Sequence, residues 1–277
     1  MSVSDCKTAL YRTASFLIHN LTAWNTGGEG IHSPYLFYLV RMLLYDSNAY
    51  YIWDKIEQQR QHLLLSKQQI EVTDYGTGRN RPALRSVSHI ARTSLENPSV
   101  AQLLFRWVLF LGENISYDNT RKSLNILELG TNLGITTAYL ATPDSRNNIF
   151  TMEGSESLCA EANKIWKRLG INNIKPVIGN IDDTLPTLLK DSPNWDLVFF
   201  DANHTFEATT HYWQLLKLHH HAKSIFVFDD IHASKEMYNA WRLIQHDPAV
   251  TSTFDLYYIG VVFFDNNYIR RHYRLRM

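Results

Sequence analysis

The residues best equipped for chemistry close two short apolar runs in the second half of this 277-residue chain. Val198-Phe199-Phe200 leads into Asp201-Ala202-Asn203-His204, and Val227-Phe228 leads into Asp229-Asp230-Ile231-His232. Apolar runs of this length bounded by polar residues read as buried strands. If the two strands are neighbours, Asp201, Asp229 and Asp230 gather at one sheet edge. Carboxylates so gathered repel one another unless a proton or a cation lies between them, and an all-oxygen set suits Mg2+ or Ca2+. The imidazole of His204 can take a proton from a hydroxyl group. The alternative is a loop histidine bonded to backbone or to Asp201. His232 reads as structural. In the run His219-His220-His221, consecutive side chains point in different directions, so one shared ion is not expected.

A second constellation lies upstream. Ile126-Leu127-Glu128-Leu129-Gly130-Thr131-Asn132-Leu133-Gly134 runs from a buried strand through a glycine turn into a helix. Glycine lets the backbone turn sharply and approach a ligand with no Cβ in the way, and in a doubly wound sheet this turn lies at the edge where ligands bind. The dinucleotide fingerprint GxGxxG is not met. The spacing is GxxxG, Asn132 stands where the middle glycine would be, and Glu128 would repel a phosphate while attracting a cation, directly or through water. Glu153 closes the next strand, where a carboxylate can accept from both hydroxyls of a ribose. Gly179-Asn180-Ile181-Asp182 follows the strand after that. Successive strand ends thus offer groups for the parts of S-adenosylmethionine. Glu128, Gly130, Thr131, Asn132 and Gly134 would serve the methionine end, Glu153 the ribose, and Asn180 and Ile181 the adenine, with Asp201 at the following strand end.

On these motifs, Leu124–Phe264 resembles the class I S-adenosylmethionine-dependent methyltransferases, and within them the catechol and caffeoyl-coenzyme A O-methyltransferase group. The resemblance implies methyl transfer to a small-molecule acceptor, with O-methylation foremost and N-methylation an alternative. It also implies a divalent cation, Mg2+ or another, on Asp201, Asp229 and Asp230, although that group usually has asparagine where this chain has Asp230. The lysine base of the group stands three residues after the first aspartate, the position His204 holds here. Asp201–His204 also resembles a D-G-x-H motif of related bacterial methyltransferases. Two rival readings are a nicotinamide-dependent oxidoreductase, which GxxxG and Glu128 disfavour, and a non-catalytic module that keeps the cofactor fold.

The elements that must position these residues alternate from Leu124 onward. Strands are expected at Leu124–Leu129, Asn148–Glu153, Ile174–Ile178, Trp195–Asp201, Lys223–Asp229, Thr253–Tyr258 and Val261–Phe264. Helices are expected at Ile135–Ala141, Glu156–Leu169, Asp183–Lys190, Phe206–His219 and Ser234–His246. Such alternation gives βαβ units and a parallel sheet covered on both faces. The predicted fold is therefore α/β, a Rossmann-like doubly wound seven-stranded sheet, mostly parallel with an antiparallel C-terminal strand. Residues 121–277 form this core, and residues 1–120 a helical extension covering the substrate region. Helices are expected there at Thr8–Asn20, Tyr35–Leu44, Asp54–Gln69 and Asn97–Gly112, joined through a loop at Val72–Pro82. The sequence Asp74-Tyr75-Gly76-Thr77-Gly78 mimics a cofactor turn but precedes no clear βα unit, so it reads either as a loop near the site mouth or as plain surface. Arg79, Arg81 and Arg85 are solvated or bind an anionic substrate group. Tyr35, Phe37, Tyr38, Tyr50, Tyr51 and Trp53 are read first as core, with a pocket lining or a homodimer contact as alternatives.

Formal net charge is zero, with 27 basic and 27 acidic residues, so no global field draws the chain to nucleic acid or to an anionic membrane. Arg270, Arg271, Arg274 and Arg276 are expected to be a solvated tail. Two cysteines without metal-ligand spacing fit a reducing compartment. No signal-peptide pattern or membrane-length apolar run is read, so a cytoplasmic location is expected.

Overall fold

The computed structural model describes residues 3–23, 26–75, 82–114, 123–267 and 269–276. The helices are α1 (Val3–Thr22), α2 (Pro34–Leu39, continued by a π turn at Val40–Leu44), α3 (Tyr51–Leu64), α4 (Val87–Ser94), α5 (Pro98–Asn114), α6 (Ile135–Ala141), α7 (Glu156–Leu169), α8 (Ile181–Leu189), α9 (Phe206–Leu216) and α10 (Lys235–Gln245). The strands are β1 (Gln69–Val72), β2 (Ala83–Ser86), β3 (Asn125–Leu129), β4 (Asn148–Glu153), β5 (Ile174–Ile178), β6 (Leu197–Phe200), β7 (Ile225–Asp229), β8 (Ser252–Asp255), β9 (Ile259–Phe263) and β10 (Arg271–Arg274). β1 and β2 form a small antiparallel pair, and the others bond in the order β10-β8-β9-β7-β6-β3-β4-β5. β3/β4, β4/β5 and β10/β8 are parallel, whereas β9 is antiparallel to both its neighbours. This is the expected α/β sheet with one strand more than the seven predicted.

The extra strand corrects the reading of the C-terminal arginines. β10 pairs with β8, Arg270 Nη2 donates to the Asp247 carbonyl at 2.8 Å, and Arg274 Nη1 donates to Thr22 Oγ1 at 2.5 Å. Their charges supply donors that hold the end of the chain, so they are not a free solvated tail. A second correction lies in the N-terminal part. The helix expected to Gln69 stops at Leu64, and β1 begins where it was to end. The residues 115–122 around the expected boundary at 120 lie outside the described ones.

The chain forms two compact units, Ser47–Val198 and Met1–Asp46 with Phe199–Met277. In the first, α6 is buried along its whole length, and Trp53, Phe105, Tyr139 and Trp166 fill a common core. Tyr50 and Trp53 pack with Phe105 at ring separations of 4.8–5.5 Å. Tyr51 is 76% exposed, so the aromatic run is only partly core. In the second unit, Phe200 stacks on Phe228 at 4.0 Å, and Trp213, Phe226 and Phe264 pack together around them. Among the described residues, no helix is long and apolar enough to cross a membrane.

Candidate active site

In the unit Ser47–Val198 the turn from β3 to α6 is shaped by backbone. Gly130, Asn132 and Gly134 all have positive φ, 101°, 50° and 74°. Asn132 thus takes the left-handed conformation that asparagine tolerates better than most residues. The Gly130 and Thr131 amides both donate to the Met152 carbonyl at 3.0 Å. Gly134 begins α6 and sits against α7. Its carbonyl accepts from Trp166 Nε1 at 2.9 Å, and a Cβ there would lie 2.6 Å from Ala162 Cβ.

Two carboxylates face this turn. Glu153 accepts the Asn132 amide on Oε2 at 2.8 Å and the Ser155 amide on Oε1 at 2.9 Å. Burial nevertheless pushes its pKa up, against the lowering effect of these backbone donors. Each carboxylate oxygen has two lone pairs, so acceptor capacity remains for hydroxyl groups. Glu128 has no exposed surface. Its Oε2 accepts from Thr137 at 2.5 Å and Thr151 at 2.6 Å, and Thr151 is in turn bonded to Thr131 at 2.6 Å. Its Oε1 has no hydrogen-bond partner. Burial outweighs the two hydroxyl donors and pushes the carboxyl up to about 7. A buried, unpartnered carboxylate oxygen is costly, and a cation or a bridging water would relieve it. That oxygen, together with Glu153, fits the cationic and ribose parts of S-adenosylmethionine. Asn180 caps α8 by accepting the Asp182 amide at 3.3 Å, and Ile181 is the first residue of that helix.

Sequence reasoning left Tyr75 open, and the structure places it. A Cβ on Gly154 would lie 2.5 Å from the Tyr75 ring, which therefore packs on the backbone next to Glu153. Asp74 raises the pKa of Glu153 and lies 3.5 Å from Arg85. Arg85 is thus paired, whereas Gly76–Arg81, with Arg79, lie outside the described residues. The Asp74–Tyr75 stretch belongs beside the cradle. Adjacent loop and strand end, far apart in sequence, gave no signal beyond an aromatic in a polar loop. Asn132 Nδ2 also donates to the Ser94 carbonyl at 2.5 Å, tying the turn to the end of α4.

In the other unit, Asp201, His204 and Asp229 come together, with one ligand atom of each within 4.8 Å of the others. His204 Nε2 lies 3.5 Å from Asp201 Oδ1, and the two side chains are 35% and 19% exposed. Thr205 caps α9 by accepting the Ala208 amide, so the loop carrying His204 ends at a fixed point. Asp230 is not in this group. It has φ 55°, so the chain turns left-handed where the third carboxylate was expected. One imidazole and two carboxylates fit a first-row transition ion better than Mg2+, because nitrogen donors favour the former. His232 bonds to Asp255, with both oxygens at 3.0 Å. His220 stacks on Phe264 while His221 accepts the Lys223 amide, in keeping with divergent directions along that run.

Residues 127–231 match a family model described as a methyltransferase domain. No relative among curated proteins matches the sequence. Among solved structures, the chain is similar to the O-methyltransferase TomG of tomaymycin synthesis from Streptomyces achromogenes, in complex with SAM. The two are 16% identical with a TM-score of 0.52, over 62% of this chain and 82% of that one. It is also similar to an O-methyltransferase from Bacillus cereus in complex with SAH, 17% identical with a TM-score of 0.54, over 82% of this chain and 95% of that one. A third is the SAH-bound methyltransferase PaMTH1 of Podospora anserina, 15% identical with a TM-score of 0.50, over 80% of this chain and 100% of that one. Over residues 127–231 the sequence is thus similar to a methyltransferase domain, and the chain shares the fold of these neighbours.

Proposed function

We propose that this chain transfers the methyl group of S-adenosylmethionine to a hydroxyl of a small-molecule acceptor. The observation that carries the reading is the β3–α6 turn, with an unpartnered buried carboxylate oxygen on Glu128 and the Glu153 carboxylate held by the Asn132 and Ser155 amides. When bound, the cofactor supplies an electrophilic methyl on a sulfonium. Glu128 holds negative charge for the cationic end, and Glu153 accepts ribose hydroxyls. Gly130, Thr131, Asn132 and Gly134 shape the turn, and Asn180 and Ile181 border the base. The domain match over residues 127–231 and the SAM- and SAH-bound neighbours of the same fold support this assignment.

His204 is the proton acceptor of this scheme. Its Nε2 takes the acceptor hydroxyl's proton, and Asp201 beside it stabilises the imidazolium so formed. General-base catalysis of this type contributes roughly 10²- to 10⁴-fold. A second reading is favoured by the spacing of Asp201, His204 and Asp229: the three hold a divalent cation that would orient and acidify the hydroxyl. The two readings exclude each other at His204, because a nitrogen donated to a metal cannot also accept a proton.

Turnover against a hydroxylated acceptor pool, followed by SAH formation with and without EDTA, tests both. Turnover that survives EDTA and is lost in His204→Ala supports the base. Turnover restored only by an added divalent ion supports the metal. Absence of SAH formation with every acceptor, despite SAM binding, would sink the enzymatic assignment and leave a cofactor-binding module.

A further inference from the structure

Apart from the Asp201–His204–Asp229 group, the unit Met1–Asp46 with Phe199–Met277 buries a second cluster: His19 on α1, His232 just after β7 and Asp255 at the end of β8. All three are under 9% exposed. His232 Nε2 lies 3.0 Å from each Asp255 oxygen, and His19 Nδ1 lies 3.4 Å from Asp255 Oδ1. The other nitrogen of His19, Nε2, lies 2.9 Å from the Leu275 carbonyl oxygen. A carbonyl only accepts, so Nε2 carries the hydrogen, and in the neutral ring Nδ1 presents a lone pair. That lone pair faces a carboxylate oxygen with no hydrogen between them, and Nδ1 has no hydrogen-bond partner. Two acceptors in that arrangement repel unless a proton or a metal cation lies between them.

From this geometry we infer that His19 Nδ1, His232 Nε2 and Asp255 form a binding site for one divalent transition-metal ion of the Zn2+ type. Zn–N and Zn–O bonds of about 2.0–2.2 Å place neighbouring ligand atoms of a tetrahedron roughly 3.3–3.6 Å apart, and the observed 3.0 and 3.4 Å need only small adjustment. A histidine ligand that donates its far N–H to a backbone carbonyl is the usual outer-shell arrangement of metal sites, and His19 already has it through Leu275. Asp255 Oδ1 also accepts the Tyr257 amide at 3.1 Å, and the Tyr257 ring stacks on His232 at 5.0 Å, so both ligands are held in orientation. On binding, the metal replaces the proton between His232 and Asp255.

A cavity of about 340 Å³ lies against His19 and His232, with Tyr11, Lys235, Tyr238 and Arg274 also on its wall. It leaves room for a fourth ligand, and Lys235 favours an anionic one, a hydroxide or a carboxylate, while Arg274 lies 3.9 Å from Asp255. Because His19 is on the N-terminal helix and Asp255 on a C-terminal strand, the ion would also fasten α1 to that part of the unit.

The experiment uses the full chain, stripped with EDTA and passed through gel filtration, then titrated with Zn2+ and, separately, with Co2+. Wild type is expected to bind one tight equivalent, to show the visible absorption of a four-coordinate Co2+ centre, and to melt at higher temperature with the ion. His19→Asn and Asp255→Asn should weaken binding by more than the roughly 10- to 100-fold typical of outer-shell changes. His220→Asn should retain the tight equivalent, and His204→Asn should retain the equivalent that His19→Asn removes. Wild type that gives no saturable binding and no four-coordinate Co2+ spectrum overturns the inference, even if the variants do not fold. Equal binding in wild type, His19→Asn and Asp255→Asn overturns it too.

Discussion

The β3–α6 turn and the Asp201–His204–Asp229 group are built in opposite ways. Around the turn, main-chain amides of Gly130, Thr131, Asn132 and Ser155 do most of the bonding, and the side chains behind them are buried. In the acid–histidine group, side chains face side chains, and His204 and Asp201 keep substantial exposure. Backbone-built sites hold their shape without the ligand, so they suit a constant cofactor. A partly exposed, side-chain-built group can meet acceptors of varied shape. The contrast predicts that damage to the turn lowers cofactor binding and stability together, whereas damage to the group lowers turnover alone.

The sharpest test of that contrast is His204→Ala. Turnover should fall roughly 10²- to 10⁴-fold, while SAH affinity by calorimetry and the melting temperature stay near wild type. A matching loss of SAH affinity would merge the two regions into one binding site and break the comparison. Next in size comes Gly134→Ala. A left-handed alanine costs about 1–2 kcal/mol, and crowding against Ala162 and Trp166 adds about 1–3 kcal/mol. Chemical denaturation should therefore show a loss of about 2–5 kcal/mol, with SAH binding reduced as well.

Glu128→Gln comes third. A charged hydrogen-bonding partner contributes about 1.5–3 kcal/mol, so SAH affinity should fall roughly 10- to 100-fold. Its pH signature is independent of that number. The Glu128 carboxyl is raised from 4.5 to about 7 in the folded chain. A raised folded pKa means the folded state holds the proton more tightly, so the associated stability is present below about pH 4.5 and lost as pH climbs through about 7. The difference corresponds to about 3 kcal/mol. Glu128→Gln, which cannot ionise, should lack this slope and gain on wild type between pH 5 and 8 in denaturation midpoints. Parallel pH profiles for the two proteins would show that Glu128 is not the titrating group. Trp166→Phe is the mildest change. It removes the indole donor to the Gly134 carbonyl and should cost about 1 kcal/mol with binding little altered, which would separate support of the turn from its shape.

Much of the fold was legible because periodicity was strong. The helices Ile135–Ala141 and Glu156–Leu169 and the strands Asn148–Glu153 and Ile174–Ile178 have the expected limits, for they carry a clear apolar face or a glycine stop such as Gly170. The pair β1/β2 was not legible, since the alternation in Gln69–Val72 spans only four residues and β2 is largely exposed, too little to separate a short strand from the end of a charged helix. β10 was hidden for the same reason, as arginines that bond to distant carbonyls look like arginines in water. The β3–α6 turn was visible because Ile126–Gly134 is contiguous in the sequence. The cluster of His19, His232 and Asp255 left no local trace, because its members are brought together only by α1 meeting the C-terminal strands, and a lone histidine on an apolar helix face has no distinguishing pattern.

The most direct test of the central claim is calorimetric titration of the full chain with SAH at pH 7, in two buffers of different ionisation enthalpy. Saturable one-to-one binding with proton release is expected, as Glu128 ionises beside the ligand's ammonium group. No binding heat in either buffer and no thermal shift would contradict it.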